Sequence, residues 1–156
     1  MKSNEAVNLF SVTEIELIYR NKARAENRPL LNSSKAAYEL LINNWNMNKI
    51  DLVEQFKIVL LDRRNRCLGI SEVSSGGMTS CVVDAKVVFG TAIKAKATGI
   101  IMAHNHPSGN IAPSESDKSL TKTFIQAGKV LELPVIDHII VTRDGYTSFA
   151  DEGLVP

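Results

Sequence analysis

Two of the three histidines in the chain, His104 and His106, stand two residues apart at the end of the apolar segment GIIMA. In an extended backbone, residues i and i+2 point to the same side, whereas on a helix they diverge by about 200°. Pro107 favours the extended form because it disfavours the helical region for the residue before it. Two imidazoles on one side of a strand end are typical ligands of a divalent transition metal, so the spacing indicates a metal site, with a solvated pair in a loop as the alternative.

A catalytic zinc site usually takes a third protein ligand, and Asp117 is the candidate. The connection SGNIAPS contains Gly, Asn and Pro residues that allow the chain to fold back and bring the next helix to the histidines. Ser114 and Asp117 also form an S-x-x-D pattern, a variant of the helix capping box that needs no metal. The residues alone leave capping and metal binding open for this pair.

A glutamate in the segment VEQFKIVLLD is the candidate for acid–base chemistry. Glu54 stands at the start of a predicted strand, on the same alternate face as Phe56, Ile58 and Leu60. It is either a strand-end glutamate that reaches solvent or a general base in a partly apolar cleft. Glu72, in GISEVSS, is the second choice, because spacing cannot identify which glutamate accompanies the histidines.

These residues need helices and strands to position them. Alternating apolar residues predict a strand at residues 14–20 and a β-hairpin in which DRRN joins VEQFKIVLLD to CLGISEV. Helical spacing predicts one helix over KAAYELLINNW, capped by Ser33 or Ser34, and further helices near 84–97 and 114–130. Two strands, VIDHIIVT and YTSFA, joined by an RDG turn, complete a mixed α/β order.

Composition restricts the class of protein. With 156 residues, 44% of them hydrophobic, the chain can bury one ordinary core, which excludes a multidomain machine. A net charge of +1 gives no overall attraction to nucleic acid or to an anionic membrane. Two cysteines, a polar N-terminal segment and no apolar run near the roughly 20 residues of a membrane span predict a cytoplasmic protein without a membrane partner. The oligomeric state stays open.

The string HNHPSGNIAPSESD has the form H-x-H-P-x6-S-x2-D and resembles the metal-binding signature of the JAMM (MPN+/JAB) metalloprotease family. HNHPSGN is specifically similar to the RadC branch, and the similarity extends over residues 51–154, including EQF, LLDRRNRCLGI, GGMTSCVVD, LPVIDHIIV and GYTSFADEG. The resemblance implies an α/β (α+β, cytidine-deaminase-like JAB/MPN) fold with a curved mixed sheet flanked by helices. Residues 51–156 would form this domain, with residues 1–50 as an N-terminal strand and helix packed on it or extending it.

The resemblance also implies a site and a reaction. Zn²⁺ would be held by His104, His106 and Asp117, with Glu54 as general base and Ser114 as a donor to the developing oxyanion. The family's known chemistry implies a JAMM-type zinc metallopeptidase that hydrolyses an amide bond of a peptide or isopeptide substrate. The full set of ligands argues against a catalytically silent scaffold.

The RadC family is traditionally described as DNA repair proteins, which gives an alternative function. The chain would then be a DNA repair or recombination accessory protein that uses the metal structurally or for phosphodiester cleavage. Longer RadC proteins carry an N-terminal domain resembling helix-hairpin-helix DNA binders, for which this sequence has no room. A basic patch beside the cleft would favour DNA, and an apolar groove with a free sheet edge would favour a peptide.

Two further groups depend on the same choice. Arg63, Arg64 and Arg66 fall in the predicted hairpin turn, where a solvated surface is the ordinary interpretation and a phosphate contact is the alternative. His138 stands among apolar residues in IDHII, which predicts a buried, hydrogen-bonded histidine. The RadC resemblance adds a role for His138 beside the metal site or the substrate as the alternative.

Overall fold

The computed structural model describes residue 16, residues 24–78 and residues 81–156. The strand predicted at residues 14–20 lies, apart from Glu16, outside these residues. The described part contains the strands β1 (Gln55–Leu61), β2 (Cys67–Ser75), β3 (Gly99–Asn105), β4 (Val135–Val141) and β5 (Tyr146–Ser148), and the helices α1 (Ser34–Asn43), α2 (Ala85–Lys94) and α3 (Glu115–Val130). A single 3-10 turn, Ala25–Asn27, precedes α1.

The five strands form one mixed sheet in the order β2-β1-β3-β4-β5. β1 pairs antiparallel with both β2 and β3, which confirms the predicted hairpin. β3 and β4 are parallel and are connected by α3, and β5 returns antiparallel to β4. The predicted α/β architecture, a mixed sheet flanked by helices, is confirmed.

β1 is buried along its whole length and presents a different apolar set to each side of the sheet. Phe56, Ile58 and Leu60 pack in the cluster that includes α2 and α3, as the alternation predicts. Val59 and Leu61 pack on the opposite side, in the cluster that includes α1. Because both faces of β1 are covered, the position of this strand is rigid, and it begins at the residue after Glu54.

The helices begin at side-chain caps. The Ser33 hydroxyl accepts a hydrogen bond from the Ala36 N–H and so caps α1. The helix predicted near 84–97 is shorter, because α2 starts after the Asp84 cap and ends before Lys96, whose φ is 59°. α3 begins after Ser114, in agreement with the predicted start.

The segment that precedes β1 packs on the sheet. Leu31, Leu41, Trp45 and Ile50 are buried in the same cluster as Val59. The predicted boundary between residues 50 and 51 stays a prediction. No helix within the described residues is long and apolar enough to cross a membrane.

Candidate metal centre

The two histidines at the end of β3 converge. His104 is the second-last residue of β3, and His106 follows the strand. Their Nε2 atoms are 2.9 Å apart. The His106 Nδ1–H donates to the Asn110 carbonyl oxygen at 2.6 Å, so the free lone pair of His106 is on Nε2 and faces His104.

The chain folds back after His106 and brings α3 to the histidines. The Gly109 N–H donates to the His106 carbonyl, and Gly109 has a φ of 79°, a left-handed conformation that other residues rarely adopt. Asp117 lies in the first turn of α3, with Oδ1 3.1 Å from His104 Nε2 and Oδ2 3.5 Å from His106 Nε2. The structure therefore brings together the three side chains that the sequence nominates as ligands.

Asp117 also takes part in the capping box. The Ser114 Oγ accepts from the Asp117 N–H at 3.1 Å, and Asp117 Oδ2 accepts from the Ser114 N–H at 2.8 Å. Capping and proximity to the histidines, which the sequence leaves as alternatives, occur together. The cap leaves the Ser114 hydroxyl hydrogen available for another acceptor.

The charges of the cluster match this geometry. Burial raises the pKa of Asp117, but the neighbouring His104 and His106 rings and Ser114 outweigh burial and hold that pKa well below its usual range. The hydrogen bond to Asp117 raises the pKa of His106, and this effect exceeds the lowering by burial. Without a metal, an ionised carboxylate therefore faces an imidazole that readily takes a proton.

The donor set fits a small divalent metal. The three ligand atoms lie within 4.8 Å of one another. Among the described residues, these three form the one group of His, Cys, Asp or Glu side chains close enough together to hold a metal ion. Ligands about 2.0–2.1 Å from a tetrahedral zinc would be about 3.3 Å from each other. The His104 Nε2 atom lies 2.9 Å from His106 Nε2 and 3.1 Å from Asp117 Oδ1, both close to that value. The cluster could hold a metal.

Glu54 lies in the same cleft as the ligands. Its backbone is fixed by two hydrogen bonds to the glycines after β2, from the Gly76 N–H to the Glu54 oxygen at 2.8 Å and from the Glu54 N–H to the Gly77 oxygen at 3.0 Å. The Cys81 thiol donates to Glu54 Oε1 at 3.5 Å. Burial raises the pKa of the Cys81 thiol to about 11, so this sulfur keeps its proton at neutral pH.

Glu72 lies on the other face of the sheet. It pairs in register with Lys57, accepts a hydrogen bond from Gln55 Nε2 at 2.8 Å, and lies 3.8 Å from Lys57 Nζ. Lys57 stands over the ring of Trp45, in the part of the core that contains α1. Of the two glutamates that the sequence offers, only Glu54 lines the cleft.

Asn105, between the two histidines, points to the opposite side of β3 and fixes the segment that carries Glu54. Its side chain is fully buried, and its Oδ1 accepts from the Gln55 N–H at 2.7 Å. Its Nδ2 donates to the carbonyl oxygens of Ile50 and Val53 at 2.7 and 2.9 Å. Sequence reasoning missed this residue, although strand alternation could have placed it opposite the histidines.

His138 is fully buried and hydrogen-bonded, as predicted. Its ring contacts His104 on one side and the Thr121 hydroxyl on the other. Burial lowers the pKa of His138 well below its usual value, and the neighbouring His104 adds to this effect. The ring is therefore neutral at physiological pH. Thr121 carries no sequence signal that would have identified it.

The cleft around these residues is partly apolar. Its lining consists of Glu54, Phe56, Met78, Cys81, Val83, His104, His106, Pro107, Ser108, Asn110, Ala112, Ser114, Ser116, Asp117 and Leu120. No Lys or Arg of the described chain lines it. Arg63, Arg64 and Arg66 lie in or beside the turn after Leu61, at the other end of β1, which for a strand of seven residues is about 20 Å away.

The mixed sheet with helices on both faces and the His-His-Asp cluster at the end of a parallel strand pair form an α/β domain consistent with the JAB/MPN type. The chain belongs to the RadC-like JAB domain family, whose sequence model matches residues 31–154.

Relatives of the chain include several UPF0758 proteins. The UPF0758 protein STH371 of Symbiobacterium thermophilum is 43% identical over 103 residues, which are 66% of this chain and 44% of the relative. A UPF0758 protein of Flavobacterium johnsoniae is 40% identical over 65% of this chain and 44% of its own length. The UPF0758 protein DSY3180 of Desulfitobacterium hafniense is 34% identical over 82% of this chain and 55% of its own length. The chain thus spans about half the length of these relatives.

Proposed function

We propose that the protein is a zinc-dependent metallohydrolase of the JAMM type that cleaves an amide bond in a peptide or isopeptide. The observation that carries this proposal is the convergence of three ligand atoms within 4.8 Å in a cleft that Glu54 also lines. Two imidazoles and one carboxylate leave a position for water or substrate on a four-coordinate zinc, as catalytic sites require. A zinc ion bound there would polarise the scissile carbonyl and make a water nucleophilic at neutral pH.

The chain's own residues supply the proton transfers. The Glu54 carboxylate takes a proton from the attacking water as the new C–O bond forms. The Ser114 Oγ–H, which the cap leaves free, donates to the carbonyl oxygen as that oxygen gains charge. Glu54 then delivers its proton to the leaving nitrogen as the C–N bond breaks. One water is consumed, and a carboxyl and an amine are formed.

The surroundings of the site support a peptide over a nucleic acid. The cleft contains the carboxylates Glu54 and Asp117 and no lining Lys or Arg among the described residues, which is unfavourable for a phosphodiester. The arginine cluster lies at the far end of β1. β2 is an edge strand of the described sheet, and it ends beside Glu54, where an extended peptide could pair with it.

The first test is the metal content of untagged protein purified without chelator. We expect about one zinc per chain in the wild type and loss of zinc in His104→Ala and in Asp117→Ala. Absence of zinc from the wild type, even after zinc is supplied, would overturn the proposal.

The second test is hydrolysis of mixed quenched-fluorescence peptides and lysine isopeptides by the zinc-loaded protein. Glu54→Gln should retain zinc and lose hydrolysis, because the amide cannot take the proton. Glu72→Gln is the matched control on the opposite face of the sheet and should retain both. Hydrolysis by Glu54→Gln at the wild-type rate would show that Glu54 is not the general base.

A further inference from the structure

A buried chain of hydrogen bonds connects α3 to the metal centre through two residues that do not line the cleft, Thr121 and His138. Thr121 Oγ1 lies 2.6 Å from the Asp117 carbonyl oxygen and 2.6 Å from His138 Nδ1. His138 Nε2 lies 2.8 Å from His104 Nδ1. Thr121 is 1% exposed and His138 is 0% exposed, so water does not compete for these bonds.

The carbonyl group at one end fixes the direction of the chain. Because a carbonyl oxygen only accepts, the single hydroxyl hydrogen of Thr121 lies on the bond to Asp117. The Thr121 oxygen therefore accepts from the Nδ1–H of His138. The Nε2 of the neutral His138 ring then accepts from the Nδ1–H of His104. The remaining lone pair of His104 is on Nε2, which faces His106 and Asp117.

We propose that Thr121 and His138 are positioning residues that hold His104 in the tautomer whose Nε2 is free to bind a metal. The inference deepens the proposed function and rests on the same metal site. Asp117 then acts twice, because its carboxylate faces the histidines while its backbone carbonyl orients His104 through Thr121 and His138. The first turn of α3 thus controls two of the three ligands.

Two substitutions of Thr121 test the proposal. Thr121→Val keeps the shape of the side chain and removes the hydroxyl, and Thr121→Ser keeps the hydroxyl. Thr123→Val is the control, because Thr123 makes the same bond to the carbonyl four residues earlier, on the exposed side of α3. In titrations of the full chain with Zn²⁺ alone, Thr121→Val should bind about 10–100-fold more weakly. Thr121→Ser should restore most of the affinity, and Thr123→Val should match the wild type.

The imidazole tautomers provide a second readout, which loss of stability alone would not change. In the metal-free wild type, ¹⁵N NMR should show His104 and His138 both protonated on Nδ1. In Thr121→Val, a proton on His138 Nδ1 would be buried without an acceptor. The His138 proton should therefore move to His138 Nε2 and be donated to His104 Nδ1. His104 would then carry its own proton on Nε2, the atom that should bind the metal.

The outcomes are distinct. Wild-type zinc affinity together with unchanged tautomers in Thr121→Val would overturn the inference. A wild type that binds no zinc would overturn the proposed function, and the tautomer comparison would still decide whether Thr121 and His138 orient His104.

Discussion

Ser114 and Asp117 hold each other by reciprocal hydrogen bonds, 3.1 Å from the Asp117 N–H to the Ser114 Oγ and 2.8 Å from the Ser114 N–H to Asp117 Oδ2. The second carboxylate oxygen, Oδ1, faces His104. The cap therefore restricts the rotation of a side chain that also belongs to the metal centre. The start of α3 has a structural role and a role in the site at the same time.

Ser114→Ala should lower both stability and zinc affinity. Loss of the bond from the Asp117 N–H to the Ser114 Oγ costs about 1 kcal/mol of unfolding free energy. It also loosens the first turn of α3, which carries Asp117, so zinc should bind more weakly, although the N–H of residue 114 still donates to the carboxylate. Urea unfolding of the metal-free protein and zinc titration measure the two effects. Ser33→Ala is the control, because Ser33 caps α1 away from the site and should lose stability alone. Equal zinc affinity in both variants would contradict the dual role.

Asn105→Ala should retain zinc but lose stability and hydrolysis. The substitution leaves the Gln55 N–H and the Ile50 and Val53 carbonyls without their buried partner, at a cost of about 3 kcal/mol or more. Glu54 then loses its fixed position, whereas the ligands keep theirs. Zinc analysis, urea unfolding and peptide hydrolysis measure the three properties. Asn44→Ala is the control, because it removes one exposed side-chain hydrogen bond and should change none of the three properties appreciably. Full hydrolysis by Asn105→Ala would show that Glu54 needs no support from Asn105.

The metal-free protein should lose stability as the pH rises above about 6.5, the usual pKa of histidine. Because His106 has a raised pKa in the folded state, its stabilisation is complete below the unfolded pKa and is lost as the pH rises through the folded pKa. Zinc competes with this proton, so stabilisation by zinc should increase over the same range. Urea unfolding with chelator and with zinc at several pH values tests both trends. In a His106→Gln variant, the metal-free protein should lose less unfolding free energy over this pH range than the wild type does.

Two helix glycines should respond to alanine in opposite directions. A Cβ at Gly128 in α3 would collide with the backbone oxygen of Leu133, so Gly128→Ala should lower the unfolding free energy by about 1–3 kcal/mol. A Cβ at Gly90 in α2 meets open space, so Gly90→Ala should raise it by about 0.5–1 kcal/mol. Thermal and urea unfolding compare the two. Stabilisation by Gly128→Ala would show that the turn after α3 yields easily.

The ligands were predictable because their geometry is local. His104 and His106 follow from strand alternation and Pro107, and Asp117 lies a short loop away at a helix start that its own capping pattern marks. The choice between Glu54 and Glu72 was not local. It depends on the register of the β1–β2 hairpin, which contains two irregular steps and places Glu72 opposite Lys57.

The partners of the site were beyond sequence reasoning for a similar reason. Thr121 reaches His138 across 17 positions, and Asn105 reaches Val53 across 52, through contacts that exist only when α3 and the segment before β1 are packed on the sheet. No period of two or 3.6 residues records such contacts. The early end of α2 was also not predictable, since the chain leaves the helix through the positive φ of Lys96 and no Gly or Pro marks that position.

The parallel pairing of β3 and β4, with α3 as the connection between them, has an evolutionary consequence. Parallel strands joined by a helix leave a crevice outside their carboxyl ends, whatever side chains line it. A descendant that lost His104 and His106 would keep that crevice and the neighbouring edge of β2, and with them a place for an extended peptide. Binding of a peptide and its cleavage can therefore be inherited separately. A homologue without the two histidines is expected to bind a peptide without cleaving it.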